Sequence, residues 1–93
     1  MNQTQTDETY MSFAIRMSQN SKAERAKVGA VLVTTDEVIL AGYNGTPRGA
    51  DNIAEMYSDG KFVTKPDVLH AELNCVMKAA RQGVSCKDAT VYV

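Results

Sequence analysis

The sequence is 93 residues long, 44% hydrophobic and 23% charged, which is the composition of one small globular domain and excludes disorder over the whole length. Its ten basic and eleven acidic residues give a formal charge of -1, so no overall field attracts nucleic acid or an anionic membrane. The polar start of the chain is unlike a signal peptide, and no apolar run reaches the length of a membrane span. We therefore expect a cytoplasmic protein with reduced thiols that binds neither membranes nor nucleic acid.

The first predicted element is a helix. Either Thr6 or Asp7 can cap it, because both side chains accept hydrogen bonds from the free amides of a first turn. Apolar residues then recur at the spacing of one helical face, at Tyr10, Phe13, Ala14 and Met17. A polar, basic connection at residues 20–27 is predicted to follow.

Two apolar segments come next, at residues 28–33 and 38–43, separated by a short polar turn. Strands this close in sequence are most simply paired as an antiparallel hairpin. The glycine-rich run at residues 42–49 is predicted to form a shaped loop. We expect residues 50–66 to be an irregular excursion with one helical turn at 53–57.

A second helix is predicted from an N-cap at Asp67 to a C-terminal Gly83. Its expected buried stripe consists of Leu69, Leu73, Val76, Met77 and Ala80. A third strand at residues 89–93 is predicted to join the same sheet through a crossover. The resulting order is α-β-β-α-β, an α/β fold.

The only histidine, His70, precedes Glu72 by two residues in the predicted first turn of this helix. Side chains two positions apart on a helix point in nearly opposite directions, so they converge only on something beyond the helix N-terminus. A zinc site is one candidate, since zinc accepts imidazole and a nearby carboxylate can shuttle protons. A lone His-x-Glu also occurs by chance, with Glu72 as a simple first-turn acid and Cys75 as a small buried hydrophobe.

Four segments, in this order, resemble the deoxycytidylate deaminase family. They are residues 27–33, 42–49, 70–74 and 89–93. The His-Ala-Glu element is shared with deaminases of cytidine, guanine and tRNA adenosine, whereas the Gly-Tyr-Asn-Gly-x-Pro loop favours the deoxycytidylate branch. The resemblance implies a cytidine-deaminase-like three-layer α/β/α sandwich, truncated here, with residues 1–93 forming one incomplete domain.

The activity implied by this resemblance is zinc-dependent hydrolysis of dCMP to dUMP, which would supply thymidylate synthesis. By the same resemblance, His70 is a zinc ligand and Glu72 is the general acid/base. The backbone of Ala71 meets the flat base, and the side chain of Asn44 hydrogen-bonds the nucleotide.

Charge and position suggest Arg25, then Lys27 and Arg48, as the residues that bind the 5′-phosphate. Members of the family are commonly homo-oligomers, often hexamers, and are regulated by dCTP and dTTP. The glycine-rich loop is our candidate for such a regulatory contact, through Gly42, Tyr43, Gly45 and Pro47.

The family pattern continues after the third strand with P-C-x-x-C, whose two cysteines complete the zinc site. His70 alone cannot hold catalytic zinc, which takes three protein ligands. We therefore expect the natural chain to continue beyond Val93 with that segment. Three alternatives stay open: an inactive remnant that binds nucleotide or a partner subunit, a deaminase of another nucleobase, and a structural module of unrelated function.

Overall fold

The computed structural model describes residues 1–46, 53–65 and 69–93. It contains two helices and five strands in these ranges: α1 (Gln3–Ser18), β1 (Gly29–Val33), β2 (Ile39–Tyr43), β3 (Glu55–Ser58), β4 (Lys61–Thr64), α2 (Ala71–Gln82) and β5 (Thr90–Tyr92). None of the helices in the described part of the chain has the length and apolar content needed to cross a membrane.

The main sheet has the strand order β2-β1-β5, with β1 antiparallel to both neighbours. Leu32 at its centre lies opposite Leu40 on one side and Val91 on the other. The predicted hairpin and the predicted third strand are therefore confirmed. Because β2 and β5 are both antiparallel to β1, they run in the same direction, and α2 is the crossover between them.

The two helices pack on opposite faces of this sheet, as the three-layer expectation requires. Ala30 and Leu32 share a buried cluster with Ala71, Cys75 and Ala79 of α2. The intervening residues of β1 point to the other face, because side chains alternate along a strand, and α1 packs there. Much of the buried core consists of alanine.

Two glycines let the helices approach the sheet closely. A Cβ atom on Gly29 would overlap the carbonyl oxygen of Ala14 and lie 2.6 Å from the backbone nitrogen of Ser18 in α1. A Cβ atom on Gly42 would lie 3.1 Å from the carbonyl oxygen of Ala71 and 3.3 Å from the sulfur of Cys75. The layer of α1 is thus set by contact with the helix backbone, and that of α2 by contact with both backbone and small side chains.

The first helix begins earlier than predicted, and the cap expected at Thr6 or Asp7 is wrong. Asn2 is the N-cap: its side chain accepts from the Gln5 amide at 2.8 Å, and the Gln5 side chain accepts from the Asn2 amide at 3.0 Å. This reciprocal capping box satisfies two amides at once and places the cap four residues before Thr6 and five before Asp7. Asp7 instead accepts a hydrogen bond from the Tyr92 hydroxyl at 2.9 Å.

The second helix begins later than predicted. Its N-cap is His70, with an extended backbone at φ -70° and ψ 153°, so His70 precedes the first turn rather than lying within it. Asp67, the predicted cap, lies outside the described residues. The predicted end is confirmed, because Gly83 adopts the left-handed conformation, at φ 69°, that favours glycine after a helix.

The predicted buried stripe of α2 is wrong. Leu73, Val76 and Met77 are 43%, 42% and 44% exposed, Ala80 is exposed, and Leu69 is half-buried. The buried residues are Ala71, Cys75 and Ala79, spaced four apart along the helix. The helix carries apolar side chains on two faces, and only the face of small residues fits against Gly42 at such short range.

The helical turn predicted at residues 53–57 is also wrong, because this segment enters a hairpin of β3 and β4. The hairpin turns at Asp59 and Gly60, both with positive φ, at 51° and 76°. Asp-Gly at a two-residue turn is a strong hairpin pattern, since both positions must adopt the left-handed conformation. The rings of Tyr57 and Phe62 pack across the two strands with centroids 5.2 Å apart.

Candidate active site

A cleft of about 500 Å³ lies beside the N-terminal end of α2. Its walls come from the connection after α1, the end of β2, the end of β4 and the start of α2. The residues that line it are Arg25, Ala26, Val28, Asn44, Thr64, Lys65 and His70. The structure therefore brings together three of the residues predicted from the sequence, Arg25, Asn44 and His70.

His70 precedes the first turn of α2, and Glu72 lies within it. The His70 side chain makes no capping hydrogen bond, and both residues are exposed. Glu72 is the acidic residue of the first turn, where the helix dipole favours a negative charge. An imidazole and a carboxylate thus stand at a helix N-terminus whose first amides have no intrahelical acceptor, an arrangement suited to an anion or to an activated, hydroxide-like water.

Ala71 is fully buried between these two residues. Its carbonyl oxygen is the backbone atom that lies closest to a Cβ built on Gly42. Close packing against β2 therefore fixes the distance between the first turn of α2 and the sheet. The backbone amide of Asn74 donates to the His70 carbonyl at 3.0 Å. The side-chain amide of Asn74 donates to the Tyr43 carbonyl at 2.7 Å. The start of α2 is therefore held rigidly against the end of β2.

Asn44 joins the cleft wall to the sheet. Its side-chain oxygen accepts from the Val28 amide at 3.0 Å, and its side-chain nitrogen donates to the Ala26 carbonyl at 2.8 Å. Its own carbonyl accepts from the Ser21 hydroxyl at 2.9 Å. An amide side chain has two N–H groups and two oxygen lone pairs, so one of each remains beyond these contacts for a ligand.

Replacing Asn44 by Ala is expected to lower the free energy of unfolding by about 1–2 kcal/mol, because it removes both side-chain hydrogen bonds to the connection. Replacing it by Asp keeps the acceptor for Val28 but loses the donor to Ala26, and we expect a similar cost. Urea denaturation checks both values. Asn20→Ala is the control, since the side-chain contacts of Asn20 within the described ranges are long ones, at 3.4 Å to Arg16 and 3.7 Å to Met17 of the preceding helix. Equal stability of the Asn44 and Asn20 variants would contradict this structural role.

Arg25 is held by the β3–β4 hairpin, through residues that sequence reasoning missed. Its guanidinium donates to the Thr64 hydroxyl at 3.1 Å. The amides of Glu24 and Arg25 both donate to one carboxylate oxygen of Glu55, at 2.9 and 3.2 Å. Lys65 follows Thr64 along the same cleft wall. The Asp-Gly turn between the two strands is the sequence pattern that would have paired Glu55 with Thr64.

Lys27 and the described residues of the predicted regulatory contact lie outside the wall of this cleft. Lys27 lines a smaller cavity of about 190 Å³ beside α1. Gly42, Tyr43 and Gly45 line a separate cavity of about 490 Å³ along α2, and Gly45 pairs with Leu69 through two backbone hydrogen bonds of 3.1 and 2.8 Å. Two predicted residues, Pro47 and Arg48, lie outside the described residues.

Neither cysteine lies in the cleft wall. Cys75 is fully buried against the sheet, its thiol donates to the Ala30 carbonyl at 3.5 Å, and burial raises the pKa of that thiol above its ordinary value. Cys86 is half-buried and packs against the core. Across residues 1–46, 53–65 and 69–93, no three His, Cys, Asp or Glu side chains are grouped to hold a metal ion. His70 fits zinc as one donor, and the described residues do not supply a full ligand set.

The chain matches known deaminases along nearly its whole length. It is 38% identical over 94 residues to the deoxycytidylate deaminase of Schizosaccharomyces pombe, covering 92% of this chain and 29% of that protein. It is 36% identical over 91 residues to the Mus musculus deoxycytidylate deaminase, covering 92% of this chain and 50% of that protein.

A solved structure shows the same fold. The crystal structure of dCMP deaminase from the cyanophage S-TIM5, in complex with dCMP and dUMP, superposes with a TM-score of 0.83 at 39% identity. The match covers 98% of this chain and 65% of that one, so the chain spans less than two thirds of each of these three relatives. The family model for the cytidine and deoxycytidylate deaminase zinc-binding region matches residues 4–93, and the chain therefore belongs to this family.

Proposed function

We propose that this protein catalyses the hydrolytic deamination of dCMP to dUMP with the help of zinc, and so supplies dUMP for dTMP synthesis. The observation that carries this proposal is the placement of His70 and Glu72 at the start of α2, beside a cleft lined by Arg25 and Asn44. A relative of the same fold has been crystallised with both dCMP and dUMP.

In this reaction, water adds to C4 of the cytosine ring, the bond from C4 to the amino nitrogen breaks, and ammonia leaves. The Glu72 carboxylate takes a proton from the attacking water and delivers it to the ring, and then serves the leaving amino group in the same way. Glu72 lies in the first turn of α2 with its side chain exposed, so the carboxylate is accessible to water and substrate at the start of the helix.

Zinc would be held by His70 together with ligands from outside the described residues. When bound, zinc supplies a water that ionises near neutral pH. The family model that matches the chain is that of a zinc-binding region, which supports this assignment. The exposed imidazole of His70, with no capping bond to occupy it, is available as a donor.

Nucleotide recognition is assigned to the walls of the cleft. The backbone of Ala71 would meet the base, and the remaining hydrogen-bonding capacity of Asn44 would reach the sugar or base. Arg25 is the leading candidate for the 5′-phosphate, because its guanidinium lies in the cleft wall and matches phosphate oxygens in geometry and charge. Lys27 and Arg48 remain secondary candidates.

Assembly and regulation follow the family expectation. We propose a homo-oligomer, with dCTP and dTTP as effectors that contact Gly42, Tyr43, Gly45 and Pro47. The cavity beside the first three of these residues also contains Lys78 and Arg81, whose charges suit a triphosphate. Light scattering with and without each triphosphate tests both parts of this proposal.

The test of the proposed reaction uses the protein as its source makes it. Intact mass and bound zinc are measured first, and dCMP and deoxycytidine are then compared as substrates. We expect a zinc-containing protein, with a denatured mass above the 10.1 kDa of these residues, that converts dCMP to dUMP and discriminates against deoxycytidine.

Three results would contradict the proposal. Binding of dCMP without turnover would indicate an inactive nucleotide-binding remnant. Turnover of guanine or of tRNA adenosine, but not of dCMP, would indicate a deaminase of another nucleobase. No response to either zinc or nucleotide would indicate a structural module.

A further inference from the structure

We infer that Glu55 is a positioning residue that fixes Arg25 in the cleft, so that the β3–β4 hairpin sets recognition of the 5′-phosphate. Glu55 is the first residue of β3 and is only 5% exposed. Burial of a carboxylate is unfavourable unless hydrogen bonds compensate it. Here one carboxylate oxygen accepts from two successive backbone amides, those of Glu24 and Arg25.

The contact with Glu55 fixes the backbone of the connection after α1 at Arg25, the residue proposed to bind the phosphate. Hydrogen bonds from amides to an ionised carboxylate are stronger than neutral ones, and two amides on one oxygen define both the position and the direction of the chain. The next carbonyl, that of Ala26, accepts from the side chain of Asn44 at 2.8 Å. Arg25 is therefore held between the hairpin on one side and the end of β2 on the other.

The same pair of strands also holds the side chain of Arg25. Glu55 and Thr64 lie directly opposite each other in the register of β3 and β4. Thr64 accepts from the Arg25 guanidinium at 3.1 Å, while Glu55 accepts from the Arg25 backbone. The cross-strand pair of Glu55 and Thr64 thus holds both the backbone and the guanidinium of Arg25. The two strand residues lie 30 and 39 positions after Arg25 in the sequence.

This inference rests on the proposed function, in which Arg25 binds the 5′-phosphate of the nucleotide. A guanidinium binds phosphate well only when its planar donors are correctly oriented. Loss of the Glu55 contact should therefore weaken binding of ligands that carry a 5′-phosphate and leave the matching nucleosides unaffected.

The experiment compares binding of dUMP and deoxyuridine by calorimetry in the wild type and in Glu55→Gln. The glutamine keeps the shape and one acceptor oxygen but loses the charge. We expect the preference for dUMP over deoxyuridine to fall on the order of tenfold, the loss expected when a charge-assisted hydrogen bond is misplaced. Thermal unfolding is recorded for each variant.

Three further variants make the result specific. Thr64→Val removes the hydroxyl from an exposed position in a strand, so it should fold even if Glu55→Gln does not, and it should also reduce the preference. In an Arg25→Gln background, Glu55→Gln should have no further effect on the preference. Ser58→Ala, in the same hairpin but without a contact to Arg25, should leave the preference unchanged.

The possible outcomes separate the two proposals. Equal weakening of dUMP and deoxyuridine in both Glu55→Gln and Thr64→Val would show a purely structural role and overturn this inference. A wild-type protein that binds dUMP and deoxyuridine equally would also overturn it, because Arg25 would then have no phosphate to bind. A wild type that neither binds dUMP nor deaminates dCMP would instead contradict the proposed function.

Discussion

Replacing Glu72 by Gln is expected to reduce kcat for dCMP deamination by roughly 10²- to 10⁴-fold, the range that general acid–base catalysis contributes. Glutamine has nearly the same size as glutamate but cannot carry a proton between the water, the ring and the leaving amino group. Because the Glu72 side chain is exposed, the substitution should leave folding unaffected. Steady-state kinetics and thermal unfolding of the two proteins test both statements.

Binding measurements separate loss of chemistry from loss of the site. Glu72→Gln should retain zinc and bind dUMP with an affinity within a few-fold of the wild type, because the proton carrier acts in the chemical step. Glu8→Gln, at an exposed position of α1, is the matched control and should keep full activity. A Glu72→Gln protein that retains more than a tenth of the wild-type kcat would exclude Glu72 as the general acid/base.

Replacing Gly29 by Ala should destabilise the fold by about 3 kcal/mol or more, at the upper end of what overpacking costs. The added methyl group would overlap the Ala14 carbonyl and lie 2.6 Å from the Ser18 nitrogen, and both are backbone atoms of a helix. Neither can move without displacing α1 from the sheet. For a domain of this size the melting temperature should fall by roughly 12 °C or more.

Two further variants identify the cause. Gly45→Ala adds the same methyl group where no described atom lies within 4 Å and where φ is not positive, so its effect should stay within about 1 kcal/mol. Ala14→Gly in the Gly29→Ala background should not restore stability, because the clash involves the Ala14 backbone and not its side chain. Restoration by Ala14→Gly, measured by urea denaturation, would show that the layers are spaced by side chains instead.

The sequence was sufficient to predict elements whose pattern is local. The continuous apolar run of β1, the short turn before β2 and Gly83 at the end of α2 each have one simple interpretation, and the structure confirms them. The buried face of α2 was predicted wrongly, because its larger apolar residues form a stripe as regular as the small one. The small-residue face is the one that fits against Gly42 and Ala30 of the neighbouring strands, and such a fit depends on tertiary packing.

Some residues of the candidate site could be predicted from the sequence, and others could not. His70 and Glu72 were predicted because the His-Ala-Glu element, in its place along the chain, resembles the family pattern, and their catalytic roles stay predictions. Glu55 and Thr64 were missed because their contacts to the connection after α1 span more than 30 positions on average, and hydrophobic periodicity carries no information about such pairs. Recognising the Asp-Gly hairpin would have paired these two residues with each other, but not with Arg25.

The alanine-rich core has a thermodynamic consequence. Six of the ten buried apolar residues in the described ranges are alanines, while larger residues such as Leu73 and Met77 keep much of their surface in water in the folded state. Unfolding therefore exposes little new apolar surface for each residue released. Because newly exposed apolar surface is what raises the heat capacity on unfolding, this increment should be small for a chain of this length. The stability curve should accordingly be broad and shallow, so that cooling strengthens the fold little and moderate warming weakens it little.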